Sequence, residues 1–216
     1  MARCDPAALF QLHVQTLFVC DGRGRMVSTN EPRPRPAPRV YAGTWAGGRV
    51  VLVRHDVEEG AAREWTAAGR GELRDRVARH RPIVGEHRGP AFVLPAMVSH
   101  EEVVGVSAGI MLHPELLSRG WLPNETPPYL GVVRDGMVVA VCYSSRTTAQ
   151  GDAAGVETVT AYRGQGLGAT AVRAWVAAVQ AAGRYAFYST EWTNAASLGL
   201  ARKLGAIEIG EDWSLG

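Results

Sequence analysis

The chain has 216 residues, 46% hydrophobic and 20% charged, a globular balance that fits one large or two small domains. Its 23 basic and 21 acidic residues leave a net charge of +2 and the basic residues form no long run, so no nucleic-acid partner is expected. Cys4, Cys20 and Cys142 match no zinc or disulfide spacing, the six histidines form no ligand pair, and no apolar run nears the roughly 20 residues of a membrane helix. The expectation is a cytoplasmic protein with reduced thiols, no metal, no signal peptide and no membrane contact.

The first third reads as antiparallel strands. "HVQTLFVCDGRGRMVSTN" alternates around an Asp21-Gly22 turn, and "RVYAGTWAGGRVVLVRHDV" does so around Gly47-Gly48. The alternating prolines of "EPRPRPAPR" favour a stiff extended connector between the two hairpins. Residues 57–80 have a helical pattern weakened by Gly69 and Gly71. Residues 82–128 read as irregular.

From Tyr129 the pattern sharpens. "YLGVV", a turn at Arg134-Asp135-Gly136, and "MVVAVCYSSR" predict strand, turn and strand, and "AGVETVTAY" a third strand. Residues 168–182 carry Val172, Trp175, Val176 and Val179 on one helical face. "RYAFYSTEW" is rich in strand formers. Asn194 then caps a short helix over 195–204, stopped by Gly205, and "AIEIGEDWSL" closes as a strand. The pattern divides the chain into a hairpin-rich N-terminal lobe (1–125) and a C-terminal domain (126–216).

The informative stretch is "AYRGQGLGATAV", residues 161–172. Glycines ahead of a helix let a ligand touch the backbone, and the unpaired first-turn N–H groups with the helix dipole favour an anion. Gly168 is followed by Ala169-Thr170, not Lys-Ser/Thr, so a Walker loop fails. Gly164, Gly166 and Ala169 fit a dinucleotide fingerprint by letter, but Tyr162-Arg163 intervene after the strand and only 48 residues follow Gly168 (216 − 168).

Arg163, Gly166 and Gly168 as Arg-x-x-Gly-x-Gly, followed by a helix, a strand, Asn194 and a short helix ending Lys-Leu-Gly, resemble the GCN5-related N-acetyltransferase (GNAT) superfamily over roughly residues 129–216. The resemblance implies an α/β fold of the α+β type, with a mixed, mostly antiparallel twisted sheet and flanking helices. It also implies acetyl-CoA, or another acyl-CoA, as co-substrate. Backbone amides of Arg163, Gly164, Gly166, Leu167, Gly168, Ala169 and Thr170 would hold the pyrophosphate. Thr158, Val159 and Thr160 would pair with the pantetheine arm across a gap against "YSTEW". Asn194 would contact the pantetheine, cap its helix, or both.

The implied reaction is direct acyl transfer to a primary amine. An amine of pKa about 10.4 is neutral in only roughly one molecule in 10³ at pH 7, so a base helps. Glu157, beside the pantetheine segment, and Glu191, ending the opposite strand, both qualify, and either is also readable as an ion-paired or exposed residue. The family's usual tyrosine, seven residues past the asparagine, is replaced by Ala201. Ser197, one turn earlier on the same face, can supply the missing proton or bind the pantetheine; Tyr143 and Tyr188 are further candidates, equally readable as core aromatics. The implied acceptor is a small-molecule or amino-acid-like amine, with a protein amine and a homodimer also compatible. A catalytically degenerate module that senses CoA or a nucleotide is the alternative.

Overall fold

The structure, a computed structural model, describes residues 5–98, 103–122 and 126–216. Cys4 and residues 123–125, at the predicted lobe boundary, lie outside the described residues. By contacts the chain divides into two compact units: Met1–Ala91, Ser189–Asn194 and Glu208–Gly216 form the first, Phe92–Tyr188 and Ala195–Ile207 the second. These limits differ from the 125/126 division, because the short strand at 103–105 pairs with the strand that opens at Tyr129.

The first unit opens with a helix, α1 (Pro6–Leu17), where the sequence pattern predicts a strand. Asp5 Oδ1 accepts the Ala7 N–H at 3.1 Å and Pro6 occupies the first turn, which are start signals that the alternation in "HVQTL" obscures. The predicted hairpin begins only after it, as β1 (Phe18–Cys20) and β2 (Met26–Thr29), with the Asp21 carboxylate accepting the Arg23 and Arg25 amides. The second hairpin is as expected: β3 (Val40–Trp45) and β4 (Gly48–Val53). The helical stretch is two helices, α2 (Glu59–Ala67) and α3 (Arg70–His80), broken at Ala68-Gly69. Trp65, Leu73 and Val77 from these helices join Val40, Val53, Trp213 and Leu215 in the core of this unit. A buried network ties α1 to the sheet: Asp212 Oδ2 meets His13 Nε2 at 2.8 Å and Asp212 Oδ1 accepts the Tyr41 hydroxyl at 2.6 Å.

Two strands, at 86–93 and 103–105, have no sequence forecast. β5 (Glu86–Val93) contains Gly89-Pro90, a pair that argues for a loop because proline lacks a donor. Pro90 contributes its carbonyl instead, accepting the Thr190 N–H at 3.3 Å.

The second unit holds β6 (Val103–Gly105), α4 (Pro114–Ser118), β7 (Tyr129–Arg134), β8 (Met137–Thr147), β9 (Gly151–Thr158), α5 (Leu167–Ala181), β10 (Tyr185–Ser189, its last residue counted with the first unit) and α6 (Ala195–Lys203). β11 (Ile207–Leu215) then returns to the first unit, where it pairs antiparallel with β3. Strand order in the second unit is β10-β9-β8-β7-β6, antiparallel except for the parallel β9–β10 pair. This is the mixed, mostly antiparallel α+β architecture expected from residue 129 onward, in the expected order. α5 buries Leu167, Val172, Trp175, Val176 and Val179 on the sheet, with roughly 1.5–3 kcal/mol for each buried Leu or Val. Trp175 Nε1 donates to Ser144 Oγ at 3.1 Å, which donates to Asp152 Oδ2 at 2.7 Å, fixing the helix over β8 and β9. Among the described residues no helix is long and apolar enough to cross a membrane.

Candidate functional site

β9 ends at Thr158, a single 3-10 turn spans Thr160–Tyr162, and the chain enters α5 through the glycines. Gly166 is the N-cap residue in the left-handed region at φ 84°, which glycine adopts without strain. No side chain caps this helix, so the first-turn N–H groups of Leu167, Gly168 and Ala169 are left for a ligand. The Arg163 and Thr170 amides are already used, bonded to the carbonyls of Thr160 and Gly166. A cation attends the loop: a Cβ on Gly166 would lie 2.9 Å from Lys203 Nζ, in the last turn of α6. An uncapped helix start with Lys203 and the half-exposed Arg163 beside it fits a pyrophosphate.

Beside the loop the sheet opens. The β9–β10 ladder pairs Tyr185 with Gly151, Ala186 with Asp152 and Phe187 with Ala153, and stops. β9 runs on for five residues with only β8 as neighbour. The Val159 N–H donates to Val139 of β8 at 2.9 Å, so by alternation the N–H groups of Val156 and Thr158 point to the open edge. A Cβ on Gly168 would stand 2.9 Å from Thr158 Oγ1 and 3.9 Å from Val156 Cγ2, so these side chains face α5 and Glu157 takes the other face.

Of the three residues expected to meet the pantetheine arm, only Thr158 keeps that geometry. Val159 is buried with its amide spent on β8. Thr160 lies past the strand, its amide and hydroxyl donating to Glu115 Oε1 at 3.1 and 2.6 Å. The Thr160 hydroxyl first, then its amide, and the charges of Arg119 and His113 hold the Glu115 carboxyl below its ordinary range.

Glu157 sits at the open edge. Its Oε1 accepts the Thr158 N–H at 3.0 Å and Arg163 Nη2 at 3.1 Å, and forms an ion pair with Arg119 Nη1 at 3.1 Å. Arg163 also donates from Nε to the Thr158 carbonyl at 3.1 Å. Among the described residues Oε2 has no partner. Arg119 pairs with Glu115 as well, so two arginines and two carboxylates frame the edge. On the Glu157 face of the sheet, Tyr143 packs against Trp121 and Tyr129 with ring centroids 5.1 and 5.6 Å apart.

At the other side of the gap, Tyr188 is the first β10 residue beyond the last β9 pair. It is 3% exposed and shares a core cluster with Cys142, Ala201 and Val172. Burial raises its pKa; Ser197 of α6, beside the hydroxyl, opposes the rise, and Cys142 adds to it. The structure thus joins Ser197 to Tyr188, a pairing the sequence does not show. Ala201 is buried, as a core residue of α6.

Glu191 and Asn194 fall in the first unit. Glu191 lies past the end of β10 and is half exposed, with its Oε1 3.3 Å from His87 Nδ1. Asn194 donates its amide to the Glu191 carbonyl at 3.0 Å and directly precedes α6. Arg119, Glu115 and Lys203 are functional candidates that sequence reasoning missed. Lys203 had one signal, its place in the Lys-Leu-Gly ending; the other two come from a stretch read as irregular.

The unpaired edge of β9 and the uncapped start of α5 thus leave backbone donors and acceptors open on two consecutive elements. Residues 130–211 match the family model described as GNAT acetyltransferase. Among solved structures, a putative GNAT-family acetyltransferase from Novosphingobium aromaticivorans is 20% identical with a TM-score of 0.53, over 62% of this chain and 65% of that one, just under two thirds of its length. A GCN5-related N-acetyltransferase from Kribbella flavida is 16% identical with a TM-score of 0.51, over 100% of this chain and 96% of that one. At these identities the likeness is one of fold. No curated protein matches the sequence.

Proposed function

We propose that the protein is an acyl-CoA-dependent N-acyltransferase, with acetyl-CoA as donor and a primary amine of a small molecule or amino acid as acceptor. The observation that carries this is the continuity between the open edge of β9 and the uncapped start of α5. An amide-bearing arm extends the first as an added strand while its phosphates meet the second.

Bound there, acyl-CoA supplies an activated acyl carbon and a thiol leaving group. The protein's own residues do the remaining work. The amides of Leu167, Gly168 and Ala169, with Arg163 and Lys203, hold the pyrophosphate. Thr158 offers its edge N–H and C=O to the arm, which takes the places now filled by the Glu157 carboxylate and the Arg163 guanidinium. Glu157 Oε2, the oxygen with no partner among the described residues, takes the proton from the acceptor amine.

Calorimetry with acetyl-CoA and a thiol-release assay over a panel of amines test the proposal. Binding with amine-dependent thiol release is the expected result. Binding without release over the whole panel would turn the reading toward a CoA sensor. No binding at all would end it.

A further inference from the structure

We propose that the Tyr188 hydroxyl is the general acid for the departing thiol, taking the place left empty by Ala201. This rests on the acyl-CoA reading and adds a residue to it. The first observation is the hydroxyl itself. It is sealed from solvent and has no aligned hydrogen-bond partner among the described residues, with Ser197 beside it. A buried polar group without a partner is destabilising, so its retention calls for an explanation.

The second observation is place. Tyr188 follows the last β9–β10 pair, where the two strands part. Its hydroxyl is directed toward α6, since it lies beside Ser197. It also feels Cys142, which lies on β8 opposite Val156, with β9 in between. The side chain therefore reaches from β10 toward the unpaired edge of β9, where the thioester end of the arm lies in the proposed binding mode.

The third observation is the surroundings. Cys142, fully buried in this cluster, has its thiol pKa pushed well above the ordinary value by burial. A thiolate left in the same apolar environment is disfavoured for the same reason. The thiol must then receive its proton as it leaves. Burial likewise keeps Tyr188 protonated at neutral pH, so the donor is always loaded.

The step balances. The amine nitrogen bonds to the acyl carbon and the C–S bond breaks with its electron pair on sulfur. The Tyr188 Oη proton passes to that sulfur. The amine proton goes to Glu157 and on to solvent. The tyrosinate recovers a proton from solvent through the Ser197 hydroxyl, which is partly exposed.

The test compares binding of coenzyme A with desulfo-coenzyme A, which lacks the S–H group, by calorimetry in the parent and in Tyr188→Phe. Phenylalanine keeps the ring and deletes a hydroxyl with no aligned partner, so the variant is expected to melt no lower than the parent. In the parent, the hydrogen bond between Tyr188 and sulfur is expected to make coenzyme A bind about 3–10-fold tighter than the desulfo compound. In Tyr188→Phe that preference disappears while desulfo-coenzyme A binds with the parent's affinity. An equal preference in both proteins overturns the proposal and leaves the acyl-CoA reading standing. Failure of the parent to bind either compound overturns both.

Discussion

Gly168→Ala puts the two halves of the donor site against each other. A Cβ at 168 would lie 2.9 Å from Thr158 Oγ1, where ordinary contact begins at 3.4 Å, so the start of α5 and the end of β9 must separate by about 0.5 Å (3.4 − 2.9). Thr158 has one way to turn aside, the rotamer that brings its Cβ hydrogen toward residue 168, because the other brings the methyl round, and leaving its native rotamer itself costs energy. Overpacking costs about 1–3 kcal/mol, and alanine in a helix returns about 0.8–1.0, for a net loss of roughly 0–2 kcal/mol. In a chain of this length that lowers the melting temperature by at most about 8 °C. Acetyl-CoA affinity should fall at least tenfold, about 1.4 kcal/mol, because the shift moves the phosphate amides relative to the edge N–H of Thr158. Calorimetry reads the affinity, and Thr158→Ala in the same background supplies the control. Removing Oγ1 should recover affinity, with a coupling of about 0.5–3 kcal/mol in the double-mutant cycle. A Gly168→Ala protein that melts higher and binds acetyl-CoA as tightly as the parent would refute the reasoning.

Glu157→Gln keeps the shape of the side chain but not the base, and should lower kcat by about 10²–10⁴ with little change in acetyl-CoA affinity; the deficit should shrink as pH rises toward the amine's pKa. A loss equal at all pH values would assign Glu157 to positioning. Asp212→Asn leaves His13 and Tyr41 buried without their carboxylate and should cost about 3–5 kcal/mol, read as a lower melting temperature. Burial alone would raise the Asp212 pKa, but the His13 charge and the hydrogen bonds from His13 and Tyr41 outweigh it and the net shift is downward. Its contribution is therefore present above the unfolded carboxylate pKa of about 3.9 and is lost as pH falls through the folded value. Melts at pH 7 and below pH 4 should show this acid-induced loss in the parent and not in Asp212→Asn.

The part of the fold that was legible in the sequence is the part whose elements announce themselves locally. α5 has a 3.6-residue apolar stripe and a glycine turn at its head; β7 and β8 flank Asp135-Gly136, where a tight turn leaves no alternative. β5 failed because Gly89-Pro90 is a loop signal to any local rule, and only the partner carbonyl and amide across the ladder make it a strand. α1 failed for the opposite reason. Its 13–17 segment alternates well enough for a strand, and burial of Leu9, Phe10, His13 and Val14 against the rest of its unit decides for helix.

The candidate site divides along the same line. The glycines, Arg163, Thr158 and Glu157 are within twelve residues of one another, so a motif can hold them. Lys203 and Arg119 come from distant positions, and their places beside Gly166 and Glu157 depend on how α6 and α4 pack. The choice of base turns on the same distinction. As a letter next to a binding strand, Glu157 is an equal candidate with Glu191. In the structure Oε1 of Glu157 accepts from a backbone amide and the Arg163 guanidinium and is ion-paired with Arg119, while Oε2 has no partner among the described residues. These groups hold the carboxylate at the open edge of β9; once the arm takes the Thr158 N–H, the two guanidinium groups remain beside it, and one oxygen is left for a proton. Glu191 is a half-exposed residue beyond its strand, with His87 near one oxygen and the Thr193 hydroxyl donating to the other. The carboxylate of Glu157 is the one held in place, and positioning is what separates a base from a charge on the surface.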